Sequence, residues 1–290
     1  MPADGQTPQT LGFAPEQINT GRPHPARMYD YYLGGKDHYS VDAEAAEEVL
    51  RRTPQVRDST RGNRAWMHRA VRYLAETAGV RQFLDLGTGV PTSPNLHEVA
   101  QRVDPTCRVL YMDNDPIVLA HAGALLTSGP AGRVAYRHGD LHQPAAVLGE
   151  ARAAGVFDWD RPIALILSAI MHFVPDEADP AGLIRTYCDA LPDGSYLAMS
   201  HATGDYSPTT SAGAAVYAER NVAAPMVLRG YADVLHLFDG TRPVEPGVVR
   251  LPEWHPELGP APRPEDGLGY DPERVWAYAG VARIQRRGLS

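Results

Sequence analysis

The sequence predicts an α/β protein: a three-layer sandwich around a mostly parallel, Rossmann-like sheet, with helices added at the N-terminal side. Three observations carry this. Short apolar runs that read as strands alternate with amphipathic helical segments at a steady rhythm, the pattern of repeated strand–helix–strand units with right-handed crossovers. Positions 162–168 form a nearly continuous apolar run, as a central strand covered on both faces requires. The stretch Phe83-Leu84-Asp85-Leu86-Gly87-Thr88-Gly89-Val90-Pro91-Thr92 reads as a buried strand turning sharply through glycines into a helix. At 290 residues and 43% hydrophobic content, the chain can bury one large core plus an appendage.

Taken in order, residues 1–22 are polar and Pro-containing and are expected to form a flexible arm. Residues 23–80 form a helical cap. A helix over Ser40–Arg52 places Ala43, Ala46, Val49 and Leu50 on one face. A second, over 61–78, repeats Trp66, Ala70, Tyr73, Leu74 and Thr77 at helical spacing and stops at Gly79. Residues 81–290 carry the sheet, starting with a strand over Gln82–Leu86. Ser93-Pro94 is expected to cap the next helix, whose inner face is Leu96, Val99, Ala100 and Val103. Strands follow at 108–112, 134–138, 162–168 and 196–200. Asp115-Pro116 opens a helix to about 127, and Asp179-Pro180 opens one to about 191. An insertion at 205–225, helical around 214–221, precedes a helix at 231–238. Positions 244–251 and 276–284 read as the sixth and seventh strands, with an irregular Pro/Gly-rich loop over 252–272 between them.

Composition narrows the function. A net charge of −8 argues against nucleic acid as a partner, and the arginines Arg57, Arg61, Arg64, Arg69 and Arg72 read as a solvated helix face rather than a basic stripe. Cys107 and Cys188 lack metal or redox spacing and read as buried reduced thiols. With no apolar leader and no run of about 18 apolar residues, the expectation is a cytoplasmic protein with no membrane partner. The chain has one lysine, Lys36, against 26 arginines. Its place inside Gly34-Gly35-Lys36-Asp37 marks it as a candidate to reach a ligand carboxylate.

In open α/β sheets ligands bind beyond the carboxyl ends of the strands, so the residues following each strand are the candidate site. After the first come Asp85, Gly87, Thr88 and Gly89. This is not the dinucleotide fingerprint: the third glycine position is Thr92, preceded by Pro91. A short acidic loop with two glycines points instead to S-adenosylmethionine (SAM). Asp85 would face the ammonium of its amino-acid end and the nearby helix start its carboxylate. Asp113, followed by Asn114, closes the second strand and can accept both ribose hydroxyls, since Asp115 already supplies the helix cap. Gly139-Asp140-Leu141 follows the third strand. Asp140 would accept from the adenine amino group and the Leu141 amide would donate to the ring, the plain alternative being a turn aspartate. Ser168 and Ala169 would lie by the methionine part. His172, and then His201, are the candidate bases if the nucleophile carries a proton; a satisfied loop histidine is the alternative. The histidines form no recognisable metal set: His138 and His142 flank a turn.

Together these residues resemble the class I SAM-dependent methyltransferases. The stretches 25–37 (Pro-Ala-Arg-Met-Tyr-Asp-Tyr-Tyr-Leu-Gly-Gly-Lys-Asp), 87–92, 95–98 and 111–116 are similar to an actinobacterial S-adenosyl methyltransferase family, over about 23–284. The resemblance implies SAM as cofactor and a seven-stranded sheet whose last strand runs antiparallel. It also implies an N-terminal segment covering the cofactor, with Tyr29 or Tyr32 touching it through cation–π attraction; otherwise the tyrosines Tyr29, Tyr31, Tyr32 and Tyr39 only dock helices. The expected function is methyl transfer to a small-molecule acceptor, with 205–225 and the 252–272 loop, including Trp254 and His255, shaping the acceptor pocket. The rivals are a non-catalytic SAM-binding protein and an NAD(P)-dependent oxidoreductase.

Overall fold

Every residue of β1 (Gln82–Leu86) is buried. Alternation along it and its neighbours sends side chains to two separate cores. Leu84, Leu86, Leu110, Met112, Leu165 and Leu167 enter one core, and Phe83, Val109, Tyr111, Ala164 and Ile166 the other. A strand buried on both faces has no polar side to show, and this is why these segments read as unbroken apolar runs.

The computed structural model describes residues 19–125, 132–259 and 269–285. Most of the expected arm, the end of the helix from Pro116 and the middle of the 252–272 loop lie outside the described residues. β1 pairs in parallel with β2 (Arg108–Asp113) and β4 (Ala164–Leu167). β3 (Arg133–His138) lies outside β2, and β5 (Tyr196–Ala202) lies beside β4, both also parallel. β8 (Ala277–Ile284) pairs antiparallel with β5 along seven residues and also with β6 (Thr241–Pro243) and β7 (Val249–Arg250). The order is β3-β2-β1-β4-β5-β8-β6, with β7 added on β8. The antiparallel last strand stands as expected. The count does not: among the described residues the sheet has eight strands, because the expected strand at 244–251 survives only as the two-residue β7, and β6 forms just ahead of it.

α3 (Val56–Glu76) and α4 (Leu96–Val103) pack together on one face of the sheet; α6 (Pro144–Ala153), α7 (Pro180–Asp189) and α9 (Tyr231–His236) cover the other. α5 (Pro116–Leu125) follows β2. The cap-plus-proline device works where expected at two places: the Asp115 carboxylate accepts from Ile117 N–H at 2.9 Å, and Asp179 from Gly182 N–H at 3.0 Å. It fails at Ser93-Pro94. There Asn95 is the cap, its N–H donating to the Glu98 carboxylate, while the Ser93 hydroxyl donates to the same carboxylate at 2.9 Å. An Asn with Glu three residues on satisfies two orphan helix amides, against one for Ser93.

α1 (Pro25–Leu33), a helix not expected from the sequence, and α2 (Ser40–Arg52) complete the cap with α3. Their core joins Met28, Tyr32, Ala46, Val49, Tyr217 and Trp276, so the insertion helix α8 (Thr210–Glu219) is part of the cap's support. Two buried charges of the early motif act as anchors. The Arg27 guanidinium lies 3.2 Å from the Asp42 carboxylate and donates to Arg22 O at 2.7 Å; the same carboxylate accepts from the His24 and Tyr39 amides. Asp30 accepts from Asp37 N–H at 2.9 Å and holds the chain after Gly34, which takes φ +82°.

Candidate active site

The carboxyl ends of β1 to β4 open into a cleft of about 180 Å³ roofed by the start of α1. Its base is the loop after β1. Gly87 holds φ +70°, and a Cβ there would lie 2.5 Å from Ile170 Cγ1; Gly89 holds φ +69°. Both the backbone conformation and the close approach exclude a side chain at 87.

Asp85, Gly87, Thr88, Gly89, Asp113, Asn114, Gly139, Asp140, Leu141, Ser168, Ala169 and Tyr29 all line this cleft, as the sequence anticipated. Asp113 is 4% exposed. One carboxylate oxygen accepts from Gly89 N–H at 2.8 Å and the other from Asp115 N–H at 2.9 Å, leaving lone pairs on both for ligand hydroxyls. Burial raises its pKa, opposed by these two amides. Asp85 is 8% exposed, and burial pushes its carboxyl up to about 7, with Arg64 only partly offsetting it. A buried carboxylate so short of positive charge suits a ligand ammonium. Asp140 accepts from His142 N–H and imidazole at 3.0 Å, as a turn aspartate does, and it lines the cleft. Burial pushes Asp140 up, but the bonds from His142 outweigh it and leave the carboxyl below its usual range.

The structure corrects several expectations. Lys36 lies exposed on the turn after α1, outside the cleft lining, because Asp30 holds this turn at the outer end of the helix. Tyr32 does not line this cleft but a second recess; Tyr29, one helical turn earlier, lines both. The arginines of α3 are not one solvated face. Arg69 is 3% exposed and donates to Trp254 O and Leu251 O, each at 2.9 Å. Arg64 lines the cleft and donates to Thr92 O and to Pro94 O, fixing the loop after β1. Trp254 is fully buried against Trp66 and Tyr73, so it and His255 belong to the packing of α3 rather than to an acceptor pocket.

Asn63 was missed by sequence reasoning. Its amide donates to Tyr29 Oη at 2.9 Å and Ser168 Oγ at 3.0 Å and accepts from Ser200 Oγ at 2.6 Å; Ser200 in turn accepts from Ala169 N–H at 2.9 Å. This network holds Ala169 in a left-handed conformation, φ +55°, where β4 ends. The available sequence signal was only a polar residue within the apolar stripe of a helix.

Beyond this network lies the second recess, of about 60 Å³, sharing Pro25, Tyr29, Asn63, Ala169 and Phe173 with the cleft. His172 and His201 both line it. His201 is spent: Nδ1 lies 2.7 Å from Ala202 O and Nε2 2.9 Å from the Arg229 guanidinium. Burial, with Arg229 nearby, pushes it down to about 4. His172 Nδ1 faces Ala202 N–H at 3.4 Å; burial, with His201 and Arg229 adding to it, holds this imidazole well below its ordinary range.

A doubly wound sheet with an acidic residue closing β2 and a glycine loop closing β1 defines a nucleotide-type α/β site. The family model described as S-adenosyl methyltransferase matches residues 12–285. A solved DUF574 family protein from Streptomyces avermitilis MA-4680 is 46% identical, the match covering 92% of this chain and all of that one, with a TM-score of 0.84. A second solved structure, from Thermobifida fusca YX, is 34% identical over 94% of this chain and 98% of its own length, with a TM-score of 0.82. No curated protein sequence matches the chain. The chain belongs to the S-adenosyl methyltransferase family: it is a SAM-dependent methyltransferase of Rossmann-like fold. The oxidoreductase and non-catalytic readings therefore fall. The cleft fits the cofactor on its own terms, through the under-compensated Asp85, the free lone pairs of Asp113 and the side-chain-free cradle at Gly87. Among the described residues no acidic, histidine or cysteine cluster could hold a metal, and no helix is long and apolar enough to cross a membrane.

Proposed function

We propose that this methyltransferase acts on a small-molecule acceptor, with Asp113 holding the cofactor ribose, Asp140 and Leu141 the adenine, and Asp85 the ammonium. SAM supplies a methyl group on a sulfonium already activated for attack. The chain's own task is then alignment and exclusion of water. Asp113 offers two oriented carboxylate oxygens; α1 roofs the cleft; Tyr29 and Asn63 hold the wall where the cleft meets the recess. Neither histidine is placed as a strong base: His201 has both nitrogens engaged, and burial holds the His172 imidazole well below its ordinary range, which makes it a weak proton acceptor. The observation that carries the reading is the junction itself, a second recess that meets the cleft at Pro25, Tyr29, Asn63, Ala169 and Phe173.

Calorimetric titration with SAM, S-adenosylhomocysteine (SAH), NAD and NADP tests the cofactor half. The two adenosyl ligands should bind and the two nicotinamide cofactors should not. Asp113→Ala should weaken SAH by about 1.5–3 kcal/mol, the worth of hydrogen bonds to a charged group. Unchanged affinity would remove the ribose role.

A further inference from the structure

An amino-acid end carries its ammonium and its carboxylate on one carbon. A ligand whose ammonium meets Asp85 therefore needs a carboxylate partner close by. The sequence predicts the helix start after β1 for this role, and the structure removes it. The Glu98 carboxylate already occupies the start of α4, where it accepts from Asn95 N–H and from the Ser93 hydroxyl. His97 N–H is spent on Tyr111 Oη at 2.8 Å. None of residues 93–98 lines the cleft.

The donors of the glycine loop are spent as well. Gly87 N–H donates to Met112 O at 2.8 Å, and Thr88 N–H faces the same oxygen at 3.4 Å. Gly89 N–H goes to Asp113, and the Thr88 hydroxyl donates to Asp85 O at 3.1 Å. On the facing wall the Tyr29 hydroxyl donates to Thr60 O at 3.1 Å, and the Asn63 amide donates to Tyr29 and Ser168.

Arg64 differs from all of these. It is the only lysine or arginine in the cleft lining. One nitrogen, Nη2, makes both of its bonds to the loop after β1, at Thr92 O and Pro94 O. Nε and Nη1 have no hydrogen-bond partner among the described residues. The guanidinium also stands near enough to Asp85 to act on it: burial raises that carboxyl, and Arg64 is the largest charge opposing the rise. A cation with unused donors, beside a carboxylate short of positive charge, is the complement of a zwitterion.

We infer that Arg64 binds the carboxylate of SAM with the donors it does not spend on the loop, and is the residue by which the cleft selects adenosyl ligands with a complete amino-acid end. The inference rests on the placing of the ammonium at Asp85 and adds the partner of the opposite charge. Because the same guanidinium holds Thr92 and Pro94, the ligand is thereby tied to α3 and to the loop after β1 together.

The test uses the full chain and three ligands that differ only at the amino-acid end: SAH, decarboxylated SAH and deaminated SAH. Each is titrated calorimetrically into the parent, Arg64→Gln and Arg64→Lys. In the parent, loss of the carboxylate should weaken binding about ten- to a hundredfold, the worth of hydrogen bonding to a charged group. Arg64→Gln should weaken SAH by a similar factor and leave decarboxylated SAH within about threefold of the parent. Arg64→Lys, which keeps the charge, should recover part of the loss for SAH. An Arg64 needed only to hold Thr92 and Pro94 would weaken both ligands alike when replaced. That result, or equal binding of SAH and decarboxylated SAH by the parent, would overturn the inference. The comparison in the parent needs no substitution, so it can overturn the inference even if neither variant folds. Deaminated SAH separates the premise. If it binds as tightly as SAH, Asp85 loses the ammonium, while the effect of decarboxylation still decides the role of Arg64.

Discussion

At the scale of single residues, Asp85 carries the sharpest consequence. Its carboxyl is pushed up to about 7 by burial, against 3.8 for a free aspartate. Between about pH 4 and 7 the folded chain then holds a proton that the unfolded chain has lost. Its contribution makes the empty protein less stable as pH rises through that window, by up to about 1.4 kcal/mol per pH unit, with no further loss above 7. Ligand binding has the opposite sign. An ammonium beside Asp85 favours the carboxylate, so binding releases a proton below pH 7, and SAH affinity should rise with pH up to about 7 and then level off. Asp85→Asn should flatten this rise and stabilise the empty protein at pH 8. Titrations and urea melts from pH 5 to 8 check both signs, and a pH-independent affinity in the parent would remove Asp85 from the ammonium site.

At the scale of elements, α1 is held by charge more than by its own helical tendency. Nine residues are too few for a stable isolated helix. Arg27, 1% exposed, ties α1 to Asp42 at the start of α2, and the His24 imidazole caps it by accepting from Ala26 N–H at 3.3 Å. Arg27→Met would leave the buried Asp42 carboxylate unpaired and should cost about 3–5 kcal/mol of stability. Because α1 supplies His24, Pro25, Ala26 and Tyr29 to the cleft, the variant should also bind SAH more weakly at temperatures where it remains folded. Denaturant unfolding with matched SAH titration measures both. Loss of stability without loss of affinity would make α1 a purely structural cover.

At the scale of the whole molecule, the cleft joins the carboxyl edge of the sheet to the cap. β1 to β4 supply its base, α1 and α3 its roof and wall, and the segment after α8 adds Ala223 and Ala224. A ligand bound there is held by groups far apart in sequence, so it stabilises the native chain as one unit. At one hundred times its Kd, SAH should raise unfolding stability by about 2.7 kcal/mol, while NAD at the same concentration leaves it unchanged. Thermal melts distinguish the two directly.

What could be read from the sequence and what could not divides along physical lines. Buried strands declare themselves, because a strand covered on both faces must be apolar throughout. The strand ends then place Asp85, Asp113 and Asp140 in one row, since parallel register sends successive strand ends to the same edge. Short edge pieces do not: β6 and β7 exist through pairing with β8, and nothing local requires them to be strands. The reading of α3 failed at Asn63, Arg64 and Arg69 for a related reason. A polar residue on a helix looks solvated unless its partner is known, and those partners, Tyr29, Ser168, Ser200, Thr92, Pro94, Leu251 and Trp254, lie 28 to 185 residues away in sequence. By itself the sequence determined the layered fold, the family and the cofactor edge, all set by local pattern and strand direction. The tertiary structure alone decided which tyrosine of the early motif lines the cleft, that Lys36 stays outside its lining, and that an aromatic recess adjoins it, because each depends on how far-separated segments meet.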